Sequence, residues 1–158
     1  MVAPIHPTDP FAARPFLVFW EITRACALAC KHCRAEAQSH RHPDELDTTE
    51  ALRLVDQLAE LAPPMLNLTG GDPLMRPDVL TIGRRASDAG IRVGLSPAAT
   101  ARLTRFDFGE IRDAGIQRIS LSLDGATAET HYRFRGLGGT FERTLKAVEL
   151  AHEAGLSI

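Results

Sequence analysis

The 158-residue chain is 44% hydrophobic and 24% charged, the balance of a soluble globular protein with enough chain to bury a core. Its net charge of -2 supplies no global positive field for a nucleic-acid backbone, and the short basic runs at residues 31–34 and 84–85 read as solvated faces. No apolar stretch approaches the roughly 20 residues that a membrane-spanning helix needs.

Residues 1–15 are rich in proline and lack the basic-then-apolar order of a secretory leader, so they read as an extended arm on a cytoplasmic protein. The globular core is expected over residues 16–158. Residues 16–22 (FLVFWEI) form a run of apolar, β-branched and aromatic side chains that suits a buried strand. Within it, Trp20 reads as core packing, and Glu21 either points inward or caps the following loop. Asp47 with Glu50 three positions later makes a capping-box start, and Leu54, Val55, Leu58 and Leu61 recur at helical spacing until Pro63-Pro64 stops the helix. A second strand at 65–68 runs into Thr69-Gly70-Gly71-Asp72-Pro73. A second helix is predicted over 77–89, a third strand over 91–95 and a third helix over 107–114. The fourth strand is placed at 118–123, a fourth helix runs from a Thr140 cap to just before Gly155, and Leu156 opens a fifth strand.

Ala89-Gly90-Ile91, Ala114-Gly115-Ile116 and Ala154-Gly155-Leu156 repeat one device. A left-handed glycine ends a helix, and a buried strand follows at once. Strands alternating with helices imply parallel neighbours joined by right-handed crossovers. Two α/β architectures fit: an open doubly wound sheet, or part of a (β/α) barrel with about four βα units and the start of a fifth strand, cut from a longer chain. Both put function at the C-terminal strand ends. The unusual residues fall there: the cysteines after strand one, Gly70-Gly71 after strand two, Ser96-Pro97 after strand three and Asp124-Gly125 after strand four. Ser122 and Asp124, two apart on the predicted strand four, would share a face.

All three cysteines lie between Cys26 and Cys33. The odd number and the bunching exclude a disulfide framework and point to metal or cluster binding. Thiolates are the usual ligands of iron–sulfur clusters, normally four for a cubane. Three in one loop grip three irons and leave the fourth open. The alternative is a non-catalytic binding module stabilised by zinc, with His32, His40 or His42 as fourth ligand, although zinc loops usually split their ligands into two separated pairs.

The spacing of Cys26, Cys30 and Cys33 resembles the hallmark of the radical S-adenosylmethionine (SAM) superfamily. The stretches FWEITRACALACKHC, LTGGDPL, SLDG, and FRG followed by GTFERTLKAV extend the resemblance over nearly the whole chain. They are most similar to members with a C-terminal SPASM or related cluster-binding extension, which modify peptides or heme precursors. The resemblance implies a partial radical SAM barrel in which Cys26, Cys30 and Cys33 hold a [4Fe-4S] cluster. Its open iron would be chelated by the amino and carboxylate groups of SAM. Reductive cleavage would then yield methionine and a 5′-deoxyadenosyl radical that takes hydrogen from a peptide or tetrapyrrole substrate. It also implies a ferredoxin or flavodoxin as electron donor.

By the same resemblance, Gly70, Gly71 and Asp72 face the SAM amino group, Ser122 its ribose or carboxylate, Arg135 its carboxylate and His32 its adenine. No residue emerges as the substrate acid or base. Three departures stand out: Asp72 holds a position where glutamate is usual, Tyr132 replaces an aspartate, and Ser96-Pro97 replaces an Asn-Gly pair.

Overall fold

The computed structural model describes residues 14–158, so most of the expected N-terminal arm lies outside the described residues. Four parallel strands, β1 (Leu17–Glu21), β2 (Met65–Thr69), β3 (Arg92–Leu95) and β4 (Ile116–Ile119), lie side by side in chain order. Five helices follow them: α1 (Thr48–Leu61), α2 (Val79–Asp88), α3 (Phe108–Asp113), α4 (Ala128–Arg135) and α5 (Thr140–Glu153).

One face of the sheet is dry. Leu66 and Leu68 of β2, Val93 and Leu95 of β3, and Ile116 and Ile119 of β4 are fully buried against Val55 of α1, Ile82 and Ala86 of α2, Ile111 of α3 and Ala147 and Ala151 of α5. Each of the buried Val, Leu and Ile side chains among these is worth about 1.5–3 kcal/mol against exposure. On the opposite face Phe19, Asn67 and Gly94 align in register, and Phe19 is 63% exposed. A doubly wound sheet reverses its strand order and carries helices on both faces. Sequential order with the helices on one face is instead a sector of a β/α barrel, and that decides between the two architectures read from the sequence.

The local signals mostly act where the sequence put them. Asp47 and Glu50 form the reciprocal capping box of α1, with Oδ1 of Asp47 accepting from the Glu50 N–H at 2.8 Å and Glu50 accepting from the Asp47 N–H at 2.9 Å. Gly90, Gly115 and Gly155 all take positive φ (82°, 77° and 76°), as the repeated Ala-Gly device requires. Trp20 packs on the core. Arg76, 1% exposed, fastens the upper edge. Its guanidinium is bidentate on Asp78 at 2.8 and 2.9 Å and donates to the Ile22 carbonyl at 3.0 Å, tying the end of β1 to the loop before α2.

Four expectations need correction. β4 ends at Ile119, so residues 120–123 are loop and the strand-alternation argument for Ser122 and Asp124 fails. Its partner β3 stops at Leu95, just before Ser96-Pro97, and the ladder runs out after the Ser120 N–H to Leu95 carbonyl bond at 2.8 Å. α4 was not anticipated, because it buries only His131 and shows no apolar stripe. α2 begins at Val79 after a single 3₁₀ turn at Pro73–Met75, and α5 is capped by Gly139, with Thr140 as its first residue. The expected start of a fifth strand is present, as a parallel bridge between Arg118 and Ser157 beside β4.

Candidate active site

The loop that follows β1 is closed at its base before it reaches the cysteines. The Cys26 N–H donates to the Gln38 carbonyl at 2.7 Å and the Gln38 N–H to the Arg24 carbonyl at 2.8 Å, so residues 26–37 project as a stitched loop. A turn with the Cys33 N–H on the Cys30 carbonyl at 3.1 Å folds the second pair of cysteines together. Cys26 is buried, Cys30 half-buried and Cys33 exposed, and all three are free thiols. Burial pushes the Cys26 thiol up, against the Leu28 N–H that favours its thiolate.

Glu45 braces this loop from below. Its Oε1 accepts from the Thr23 hydroxyl at 3.0 Å, the Arg24 N–H at 2.8 Å and the His42 N–H at 3.2 Å, while Oε2 accepts from Arg41 Nε at 2.8 Å. Burial alone would raise this carboxyl. The hydrogen bonds from Arg41, Arg24, His42 and Thr23 together outweigh it and hold Glu45 below its ordinary 4.5. A depressed folded value means that the stabilisation is complete above the unfolded value and disappears as pH falls through the folded one. Glu45→Gln is therefore expected to lose about 1–3 kcal/mol at neutral pH. In urea titrations at a series of pH values, the gap from wild type should close below pH 4.5. A gap independent of pH would show that the charge contributes nothing.

The loop after β2 lies directly on the cysteine loop. The Gly71 N–H donates to the Thr23 carbonyl at 2.8 Å and the Asp72 N–H to the Ala25 carbonyl at 2.7 Å. Gly70 adopts φ 137° there, and an added Cβ would come within 2.2 Å of the Thr23 carbonyl oxygen. These glycines are required by backbone approaching backbone. With both N–H groups already committed, the segment has acceptor oxygens to offer a ligand, which suits an ammonium.

These loops meet the ends of β3 and β4 around one cavity of about 290 Å³. Cys26, Cys30, Cys33, His32, Gly70, Gly71, Ser122 and Arg135 all line it, together with Glu21, Thr69, Ser96 and Ser120. Eight of the nine residues proposed from sequence thus share one wall, and Glu21 faces inward while pairing with Arg34 at 2.7 Å.

Asp72 is the exception. It is fully buried, and its Oδ1 accepts from the Leu74 and Ala98 N–H groups at 3.2 and 3.3 Å, while Oδ2 accepts from the Thr100 hydroxyl at 3.4 Å. Burial pushes the Asp72 carboxyl up despite these donors. Through these bonds the Asp72 side chain pins the β2 loop to the β3 loop, and it does not line the cavity.

The sequence reading missed a hub at Asp124. Its carboxylate pairs with Arg135 Nε, lies 3.7 Å from His32 Nε2 and 3.8 Å from His131 Nδ1. His131 is wholly buried, and its Nδ1 accepts from the Asp124 N–H at 3.2 Å, which fixes the Nε2–H tautomer. Burial lowers its pKa and keeps it neutral. The signal available in the sequence was the string SLDG seven residues before a histidine, but the helix that joins them carried no apolar pattern.

Three thiols line one cavity and match an iron–sulfur cluster in donor type. Among the described residues, no three His, Cys, Asp or Glu side chains converge where a single metal ion would sit, and nothing favours the zinc module. A barrel sector with a three-cysteine loop at its C-terminal rim defines a class: α/β-barrel proteins built to carry an iron–sulfur cluster with an open iron. The chain belongs to the radical SAM superfamily, whose family model matches residues 20–158. The enzymes of that family use a [4Fe-4S] cluster and SAM.

The chain is 46% identical over 140 residues to the AdoMet-dependent heme synthase of Oleidesulfovibrio alaskensis, covering 89% of this chain and 36% of that protein. It is 47% identical over 140 residues to the AdoMet-dependent heme synthase of Methanosarcina barkeri, covering 89% and 40% respectively. The chain therefore spans somewhat over a third of the length of these relatives. The fold matches the crystal structure of Streptococcus suis SuiB bound to S-adenosylmethionine with a TM-score of 0.71 at 16% identity, over 91% of this chain and 33% of that one. No helix among the described residues is long and apolar enough to cross a membrane.

Proposed function

We propose that residues 16–158 form the cluster- and SAM-binding part of a radical enzyme acting on a tetrapyrrole, a heme precursor. The observation that carries the radical chemistry is the opening of all three cysteines onto the one cavity that the Gly70-Gly71 backbone also walls. The tetrapyrrole assignment rests on the two relatives named as heme synthases. A peptide substrate is the other class implied by the sequence resemblance.

In this reading Cys26, Cys30 and Cys33 hold the cluster. The Gly70-Gly71 carbonyls receive the amino group of SAM, Ser122 and Arg135 lie toward its ribose and carboxylate, and His32 stands at the adenine side. When bound, the cluster and SAM together supply a one-electron cleavage that yields methionine and a 5′-deoxyadenosyl radical. The chain's own part is to position and to exclude water: the stitched cysteine loop sets the ligands, Glu45 and Asp72 hold the two flanking loops, and buried Leu28 and Ala98 beside Cys26 dry the inner wall. A ferredoxin or flavodoxin would deliver the electron.

The test is anaerobic reconstitution followed by reduction with dithionite in the presence of SAM. Four irons and four sulfides per cluster and the appearance of 5′-deoxyadenosine are expected. Protein carrying the full barrel that loads a cluster yet forms no 5′-deoxyadenosine would overturn the radical assignment. Added iron-coproporphyrin-type substrate left unchanged, with deoxyadenosine still formed, would overturn the tetrapyrrole assignment alone.

A further inference from the structure

Each cysteine sulfur in the loop accepts one N–H. The Leu28 N–H reaches Cys26 Sγ at 3.4 Å and the Ala37 N–H reaches Cys33 Sγ at 3.5 Å, both from the local backbone. The third donor is different in kind: Nη1 of Arg135, 105 residues away in sequence, lies 3.7 Å from Cys30 Sγ. Cys30 is thus the one cluster-loop sulfur that faces a side-chain donor, and that donor carries a full positive charge.

The arrangement is built, with support on both sides. The C-terminus of α4 docks on the cysteine loop through the Lys31 N–H to Phe134 carbonyl bond at 2.9 Å. Gly136, at φ 69°, lets the chain pass so close that a Cβ there would lie 2.7 Å from the Ala29 carbonyl oxygen. On the other side Asp124 grips the Nε edge of Arg135, which turns Nη1 toward Cys30. Arg135 is mostly buried, with 14% of its side chain exposed, so its charge is weakly screened.

We infer that Arg135, oriented by Asp124, tunes the redox potential of the cluster through Cys30, in addition to any contact with SAM. The inference rests on the cluster assignment proposed above. Reduction adds one electron, taking [4Fe-4S]²⁺ to [4Fe-4S]⁺, and every thiolate ligand then bears more negative charge. A guanidinium and its N–H beside one of those sulfurs favour the reduced state, because hydrogen bonds and net charge around the sulfurs set cluster potentials. A residue serving only the SAM carboxylate would leave the SAM-free cluster unaffected.

The experiment is a dithionite titration of the anaerobically reconstituted protein without SAM, followed by electron paramagnetic resonance, for wild type, Arg135→Gln and Arg135→Lys. The midpoint potential should fall in Arg135→Gln, and fall less in Arg135→Lys, which keeps the charge but gives up the Nε bond to Asp124. Equal potentials in wild type and Arg135→Gln, with weakened SAM binding, overturn the inference and leave Arg135 as a SAM contact. If Arg135→Gln takes up no cluster, Arg135→Lys decides by the same criterion. Wild-type protein that takes up no cluster overturns the functional reading itself, which separates the two failures.

Discussion

Alanine at Cys26, Cys30 or Cys33 is expected to leave the anaerobically reconstituted protein without its [4Fe-4S] cluster, read as iron and sulfide per chain and as the loss of the brown chromophore. The three positions differ in burial, and this makes the series informative. Cys33 is exposed, so Cys33→Ala should alter stability by no more than about 0.5 kcal/mol. Its effect on iron content then reports ligation and nothing else. Cys26 is buried beside Leu28 and Ala98, and Cys26→Ala should also cost the fold about 1 kcal/mol from the small cavity it leaves. Full wild-type iron in any one of the three variants would break the proposed ligand set.

A second large effect is expected at Gly70 and Gly71. In Gly70→Ala the new methyl would lie 2.2 Å from the Thr23 carbonyl oxygen at a φ of 137°, and in Gly71→Ala it would lie 2.4 Å from that of Ala25 and 2.7 Å from that of Arg24. The obstacle in each case is backbone, which no rotamer change can relieve. Strain and overpacking together should cost about 2–5 kcal/mol. Gly90→Ala is the control: it sits at φ 82° with nothing within 4 Å, so only the left-handed backbone is penalised, by about 1–2 kcal/mol. Urea unfolding midpoints of the three variants measure the difference. Equal losses at Gly70 and Gly90 would mean that the β2 loop does not press on the cysteine loop. Gly70→Ala and Gly71→Ala, unlike Gly90→Ala, should also separate the two loops that flank the cavity and so weaken SAM binding.

These expectations divide according to how far apart in the chain their causes lie. The alternation of strand and helix, the Asp47–Glu50 cap and the glycine stops at 90, 115 and 155 follow from neighbours a few residues apart, and they are visible in the sequence because their physics is local. The cysteine spacing is local too, which is why the cluster loop stood out first. The shortened β4 was hidden because its end is set by where its partner β3 stops. α4 was hidden because it is held by its caps, by packing on α5 through His131 and Phe141 and by a bond to the cysteine loop, with one buried histidine in place of an apolar face.

From residue order alone came the parallel α/β class, the three thiols and the rim on which they would stand, since each rests on periodicity or on short spacing. The three-dimensional arrangement was needed to choose the barrel sector, to turn the Asp72 carboxylate behind the cavity wall, and to gather Asp124, His131, Arg135 and Cys30 at one point. Those outcomes depend on contacts between segments up to 105 residues apart. Such contacts are settled by packing and hydrogen-bond satisfaction across strands, which a linear pattern does not encode.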